Sequence, residues 1–230
     1  MSTSIVIGSL RFLGFHLTRY LLDQGQTVIG FDINDEAIEY ADEKEMYIGR
    51  NANFQYKALK DAFIPEDAHL FISIYDFMDI NEQWQNPLEI MLNFKGAEHI
   101  RKTFFLPPDS EEADAFVKKV PASQCVYVEN LFGPWMPDSS LYSRLEMETD
   151  VQKEGIYIGD LFPCMEELLK IKGNIYIYGH SGSLSEIIKE MPAKDITPFP
   201  VPRRTTMEEA LADIQQVKKN SETVFPKNEK

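Results

Sequence analysis

The chain has 230 residues, 43% hydrophobic and 26% charged, which suits one α/β domain with a sizeable core and a small appendage. A formal net charge of −14 excludes an electrostatic grip on nucleic acid or on an anionic membrane, though not a local site for a small anion. Two cysteines, Cys125 and Cys164, with no Cys-x-x-Cys pair, offer no metal framework and point to a reducing, cytoplasmic setting.

The first residues, Met1-Ser2-Thr3-Ser4, run straight into an apolar strand, so no signal peptide is expected, and no apolar run is long enough to span a bilayer. Ile5-Val6-Ile7 reads as a buried parallel strand ended by Gly8. From Leu10 to Gln24, Leu13, Leu17, Tyr20 and Leu21 recur at helical spacing, and Gly25 closes the helix. Thr27 to Phe31 is a second strand ending at Asp32, and Asn34 or Asp35 is expected to cap the acidic helix after it. Phe54-Gln55-Tyr56 is a short third strand, and Leu70 to Ile74 a fourth, followed by a mostly helical stretch from Asp79 to Ile100. Thr103 to Leu106 is a fifth strand, stopped by Pro107-Pro108. Asp109 with Glu112 resembles a capping box for a helix to Val117, and Cys125 to Val128 is a sixth strand. From Gly133 the rhythm turns irregular, then recovers in helices over Leu161–Ile171, Leu184–Met191 and Met207–Val217 and a strand over Asn174–Tyr178. Alternating strands and helices predict a Rossmann-like, doubly wound parallel sheet. The division expected is a nucleotide-binding core over 1–132 and a small cap-like region over 133–230, interleaved with it.

The segment Gly8-Ser9-Leu10-Arg11-Phe12-Leu13-Gly14 lies where a strand turns into a helix. A helix N-terminus there offers unpaired N–H groups and partial positive charge to a pyrophosphate, and glycines let the backbone approach it. Asp32, at the end of the next strand, is placed to accept hydrogen bonds from an adenosine ribose, which favours NAD over its 2′-phosphorylated relative. Gly8, Arg11, Phe12, Leu13, Gly14 and Asp32 are therefore the candidate cofactor residues. The plainer reading of Gly8 and Gly14 is tight strand–helix packing.

Ile5 to Asp35 resembles the opening of the extended short-chain dehydrogenase/reductases, the NAD-dependent nucleotide-sugar epimerases and dehydratases, whose loop reads G-x-x-G-x-x-G. Gly8 and Gly14 match the first and third glycines and His16-Leu17 the residues that follow, while Arg11 stands in place of the middle glycine. Arg11 either reaches round to pair with phosphate or fills the site. Further similar segments follow in order: Trp84-Gln85-Asn86-Pro87, Asn93-Phe94-Lys95-Gly96, Asn130-Leu131-Phe132-Gly133-Pro134, Tyr157 to Leu161, and Arg203-Arg204.

The resemblance implies a catalytic Ser or Thr after the fifth strand and a Tyr-x-x-x-Lys helix before the sixth, the lysine lowering a tyrosine pKa that is ordinarily about 10. Here the fifth strand runs into Leu106-Pro107-Pro108, and no tyrosine occurs between Pro108 and Cys125. Tyr40…Lys44 and Tyr56…Lys60 match the spacing elsewhere and are read as coincidental. Ala58 replaces an Asp that the family uses near adenine, and Ile74 and Tyr75 are expected to bring bulk into the cofactor groove. His16, His69, His99 and His180 show no ligand spacing, and Gly179 to Ser183 reads as a turn with Ser183 as a helix cap.

Three readings follow. In the first, the chain is non-catalytic, with no catalytic and no metal residues, and binds a nucleotide (a dinucleotide or nucleotide sugar) or a protein partner in a regulatory role. In the second, it keeps NAD and works as an epimerase, dehydratase or reductase through Tyr75, Tyr142 and Asp160. In the third, it is a protein-interaction module with a collapsed cofactor groove. Oligomeric state stays open.

Overall fold

A computed structural model of the chain describes residues 2–32, 38–58, 65–77, 100–108, 110–120, 122–137, 155–179 and 195–224. In chain order the elements are β1 (Thr3–Ile7), α1 (Phe12–Asp23), β2 (Thr27–Phe31), α2 (Ala41–Ile48), β3 (Phe54–Tyr56) and β4 (His69–Ser73), which leads into a 3-10 turn over Ile74–Phe77. Then come β5 (Arg101–Leu106), α3 (Glu111–Lys119), β6 (Gln124–Val128), β7 (Leu131–Phe132), β8 (Ile156–Tyr157), α4 (Ile158–Leu161), a 3-10 turn over Phe162–Cys164, α5 (Met165–Leu168), β9 (Asn174–Gly179), β10 (Ile196–Val201) and α6 (Met207–Val224).

Eight strands form one sheet in the order β10-β9-β6-β5-β4-β1-β2-β3, and every neighbouring pair is parallel. Read from β3, the first six follow the 3-2-1-4-5-6 order of a Rossmann sheet, with the chain reversing direction across the sheet between β1 and β4. Residues after 132 add β9 and β10 to this same sheet, and β7 and β8 pair separately.

Both faces of the sheet are covered. Successive side chains on a strand point to opposite faces. Val6 accordingly joins one core with Leu13, Leu17 and Leu21 of α1, while Ile5 and Ile7 join the other with Ala113 and Phe116 of α3. This two-sided burial is why the strands read as continuous apolar runs.

The ends of the elements carry the local signals. Gly25 takes φ +72°, and the N–H groups of Gly25 and Gln26 donate to Leu22 and Leu21, so α1 closes in a Schellman motif. The cap of α3 is Ser110, not Asp109, which lies outside the described residues. The Ser110 Oγ accepts the Ala113 N–H at 3.1 Å. The single helix expected over Leu161–Ile171 is broken: Pro163 sits in a 3-10 turn between two one-turn helices. β10 was not expected, because Pro198 and Pro200 interrupt it. It tolerates them by being the last strand, where alternate N–H positions face away from the ladder. α6 runs past the expected end at Val217 to Val224. The caps at Asn34 or Asp35, the stretch 79–99, the helix Leu184–Met191 and the turn at Ser183 lie outside the described residues.

Candidate functional site

The turn from β1 into α1 is shaped by two glycines. Gly8 takes φ +88° and donates its N–H to the Phe31 carbonyl at 2.8 Å, while its own carbonyl accepts from Arg11 N at 3.0 Å. A side chain on Gly14 would place its Cβ 1.9 Å from the Gly8 carbonyl oxygen, so the helix seats against the turn only as glycine. Tight packing, the plainer of the two readings of this pair, is thus part of their role.

Asp32 lies against the same turn, and both of its oxygens are engaged. Oδ2 accepts from Leu10 N at 2.8 Å and from Ser9 Oγ at 3.2 Å, and Oδ1 faces Arg11 Nε at 3.3 Å. The Arg11 guanidinium stacks over the Phe77 ring, 4.9 Å from its centroid. Arg11 and Asp32 are both buried, at 7% and 4% exposure, and their contact is an ion pair by distance, since Arg11 Nε and Asp32 Oδ1 do not meet in hydrogen-bond geometry.

The first turn of α1 carries a further carboxylate. Asp76 Oδ1 accepts from Leu13 N at 3.0 Å and Oδ2 from Gly14 N at 2.9 Å. The Asp76 carboxyl is pushed up by burial, against a downward pull from the two N–H donors and Arg11. Lys44 completes the cluster. It is 1% exposed, its Nζ donates to the Glu39 carbonyl at 2.9 Å, and burial lowers its pKa to about 8 against the opposing pull of Asp76, Asp32 and Glu39. Two cations and two carboxylates are therefore gathered at the switch between β1 and β4.

The structure brings Gly8, Arg11, Gly14, Asp32 and the Leu13 N–H together at this turn, while the Phe12 and Leu13 side chains belong to the core. Ile74 does not obstruct the turn: its side chain packs into the core on the α3 face. Tyr75 points its hydroxyl at Leu131, accepting that N–H at 2.9 Å. The residues that do reach the turn are Asp76 and Phe77, with Phe77 3.4 Å from where a Cβ on Gly8 would stand. Sequence reasoning missed Asp76, Phe77 and Lys44. No local signal marks them, because the pairing of β4 with β1 and the packing of α2 are what bring them to the turn.

Two of the three acid–base groups of the enzymatic reading, Tyr75 and Asp160, have structural partners. Asp160 is buried and accepts from Arg204 N at 3.1 Å, Thr205 N at 3.3 Å and Thr205 Oγ1 at 2.7 Å, anchoring the approach to α6. Tyr142 lies outside the described residues. His16 donates through Nε2 to the Pro134 carbonyl at 2.9 Å, and His69 shares a hydrogen bond of 2.9 Å with Thr103 Oγ1. Burial lowers both histidines to about 3, so each is neutral. Among the described residues no cluster of three or more His, Cys, Asp or Glu could hold a metal ion, and no helix is long and apolar enough to cross a membrane. A cavity of about 300 Å³ opens elsewhere, between α1 and α6, lined by His16, Arg19, Tyr20, Tyr157 and Asp213 among others; none of Gly8, Arg11 or Asp32 borders it.

Neither a protein-family model nor a curated protein sequence matches the chain. Solved structures do. A dTDP-glucose 4,6-dehydratase from Bacillus anthracis, in complex with NAD, superposes with a TM-score of 0.60 at 16% identity over 96% of this chain and 98% of that one. An epimerase from Methanothermobacter thermautotrophicus gives 0.61 at 14% identity over 99% and 95%. A UDP-glucose 4-epimerase from Thermotoga maritima, with UDP-glucose, gives 0.58 at 13% over 95% and 99%. The fold is that of the NAD-dependent epimerases and dehydratases.

In a Rossmann sheet the dinucleotide places its pyrophosphate on the first helix N-terminus and a ribose on the carboxylate after the second strand. Here the N–H groups of Leu13 and Gly14 already donate to Asp76, and Asp32 is held by Ser9, Leu10 and Arg11. In this arrangement the residues present do not fit NAD.

Proposed function

We propose that this chain is a non-catalytic protein on the epimerase/dehydratase fold that acts in regulation by binding a partner, with 1–132 as the nucleotide-binding type of core and 133–230 as the smaller interleaved region. The observation that carries this reading is the connection between β5 and β6. It holds α3 alone among the described residues, and Pro108 to Cys125 contains no tyrosine to serve as the acid–base group that redox and epimerase chemistry on this fold requires. The engagement of Tyr75 and Asp160 in structural hydrogen bonds supports it. A protein partner suits the closed β1–α1 turn better than a dinucleotide or nucleotide sugar does. Gly8, Arg11, Phe12, Leu13, Gly14 and Asp32 remain the proposed lining should a nucleotide enter. A cytoplasmic location is part of the proposal, since both cysteines are free.

The test is turnover. Purified protein is incubated with NAD and either UDP-glucose or dTDP-glucose, followed by NADH absorbance and by proton NMR of the sugar. The expected result is no conversion above a protein-free control. Conversion that Asp160→Asn or Tyr75→Phe abolishes would favour the enzymatic reading and end this one.

A further inference from the structure

We infer that the dinucleotide site is closed by the chain's own side chains, with the Asp76 carboxylate seated on the first N–H groups of α1 in place of a pyrophosphate and Arg11 holding Asp32 in place of a ribose. The inference concerns occupancy of the site and does not depend on whether the chain catalyses.

Three separate contacts carry it. First, a helix N-terminus leaves several N–H groups without intrahelical partners and attracts anions. The α1 N-cap position is Arg11, whose side chain makes no capping bond, so the helix lacks the usual local acceptor. Asp76 supplies one from more than sixty residues away, one oxygen to Leu13 N and one to Gly14 N. A diphosphate would need those same donors, so the two anions exclude each other. Second, Asp32 has one oxygen on Ser9 and Leu10 and the other 3.3 Å from Arg11 Nε, outside hydrogen-bond geometry, so a ribose hydroxyl would have to compete with a buried ion pair. Third, Phe77 covers the open face of Gly8 and carries the Arg11 guanidinium on its ring, closing the approach that a glycine provides. Asp76 and Phe77 both come from the turn over Ile74–Phe77, so one short segment blocks the phosphate side and braces the residue that blocks the ribose side.

The same geometry defines what an opened site would take. With the turn swung aside, two N–H donors, the α1 dipole and a released Arg11 would face outward together, which is the recognition chemistry of a diphosphate. Asp32 would then be free for a vicinal diol. The ligand class is an ADP-ribose-type nucleotide, in direct competition with Asp76.

Calorimetric titrations with ADP-ribose and with inorganic pyrophosphate test this on the full chain: wild type, Asp76→Asn, Asp76→Ala and Asp76→Ala/Arg11→Gly. The wild type is expected to show no binding at millimolar ligand. Asp76→Ala should gain at least about tenfold in affinity for both ligands, and the double variant should gain for ADP-ribose. Wild-type binding as tight as that of Asp76→Ala overturns the inference. Silence from every folded variant overturns it too, because Asp76 is then not what excludes the ligand. Should the alanine variants fail to fold, amide NMR of the wild type decides. ADP-ribose must leave the Leu13 and Gly14 signals unmoved; if it shifts them at submillimolar concentration the site is open and the inference fails. Wild-type binding without turnover would refute the closed site and leave the non-catalytic reading standing.

Discussion

Gly14→Ala isolates the packing of α1 against the β1–α1 turn from any ligand. The new Cβ would stand 1.9 Å from the Gly8 carbonyl oxygen and 2.6 Å from its carbon, both backbone atoms that cannot rotate away. A tolerable contact needs about 3 Å or more, so the helix start and the turn must part by about 1 Å. Three hydrogen bonds span that gap or its immediate neighbourhood: Arg11 N to Gly8 O at 3.0 Å, Leu13 N to Asp76 at 3.0 Å and Gly14 N to Asp76 at 2.9 Å. Stretched by 1 Å, each passes out of hydrogen-bonding range. A neutral bond contributes about 1 kcal/mol and one to a charged group about 1.5–3 kcal/mol, so loss of all three sets a ceiling of about 7 kcal/mol. Partial relaxation brings the expected cost to about 3–5 kcal/mol, a large share of the roughly 5–15 kcal/mol that holds a domain folded. Gly25→Ala is the control. Its φ is +72° with nothing within 4 Å of the added Cβ, so it should cost only the left-handed strain, about 1–2 kcal/mol. The assay is urea unfolding followed by tryptophan fluorescence. Equal losses for the two variants, or a Gly14→Ala loss below about 1 kcal/mol, would refute the packing argument.

Further outcomes follow from the same geometry. His16 and His69 have folded pKa values lowered to about 3 from 6.5, so their stabilisation is complete above 6.5 and is lost as pH falls from there toward 3. At about pH 5 each withdraws up to about 2 kcal/mol, and urea midpoints should fall accordingly between about pH 7 and pH 5, with the drop halved in His69→Gln. Asp76, whose carboxyl is pushed up, acts in the opposite sense, destabilising as pH rises through its folded pKa. Asp160→Ala leaves the Thr205 N–H and hydroxyl and the Arg204 N–H without their acceptor, and should cost about 3 kcal/mol in urea unfolding. Tyr157→Phe removes the 2.6 Å bond from the tyrosine hydroxyl to Asp213 that ties β8 to α6, at a cost of about 1 kcal/mol in the same assay. The Cys125 thiol is buried and pushed up to about 12, so iodoacetamide at neutral pH should leave it unmodified until urea unfolds the chain, as mass spectrometry would show.

Much of the sheet was legible because a strand buried on both faces is apolar over most of its length, and β1, β2, β4, β5, β6 and β9 each contain such a run. β10 was not, since proline argues against a strand unless its place at the sheet's edge is already known. The candidate site divided in the same way. Gly8, Gly14 and Asp32 carry local meaning: a positive φ, a close approach and a carboxylate at a strand end. Asp76 carries none, because its role exists only once β4 lies beside β1 and brings residues 13, 14 and 76 together. Lys44 sits in an acidic run that reads as a solvated helix face, and tertiary packing alone buries it. For Arg11 the sequence left two readings, phosphate partner or plug. The ion pair with Asp32 supports the second in the arrangement described.

The prolines of β10 have a consequence for assembly. An outermost strand is ordinarily a template on which a second copy or a foreign peptide can lay down another strand. Pro198 and Pro200, two residues apart, remove consecutive donors from one side of β10, so an incoming strand would meet carbonyls without the reciprocal N–H groups. At the opposite margin β3 offers three residues, too short to seed an extended pairing. Among the described residues, neither margin of the sheet therefore presents a regular backbone template on which a further strand could pair at length.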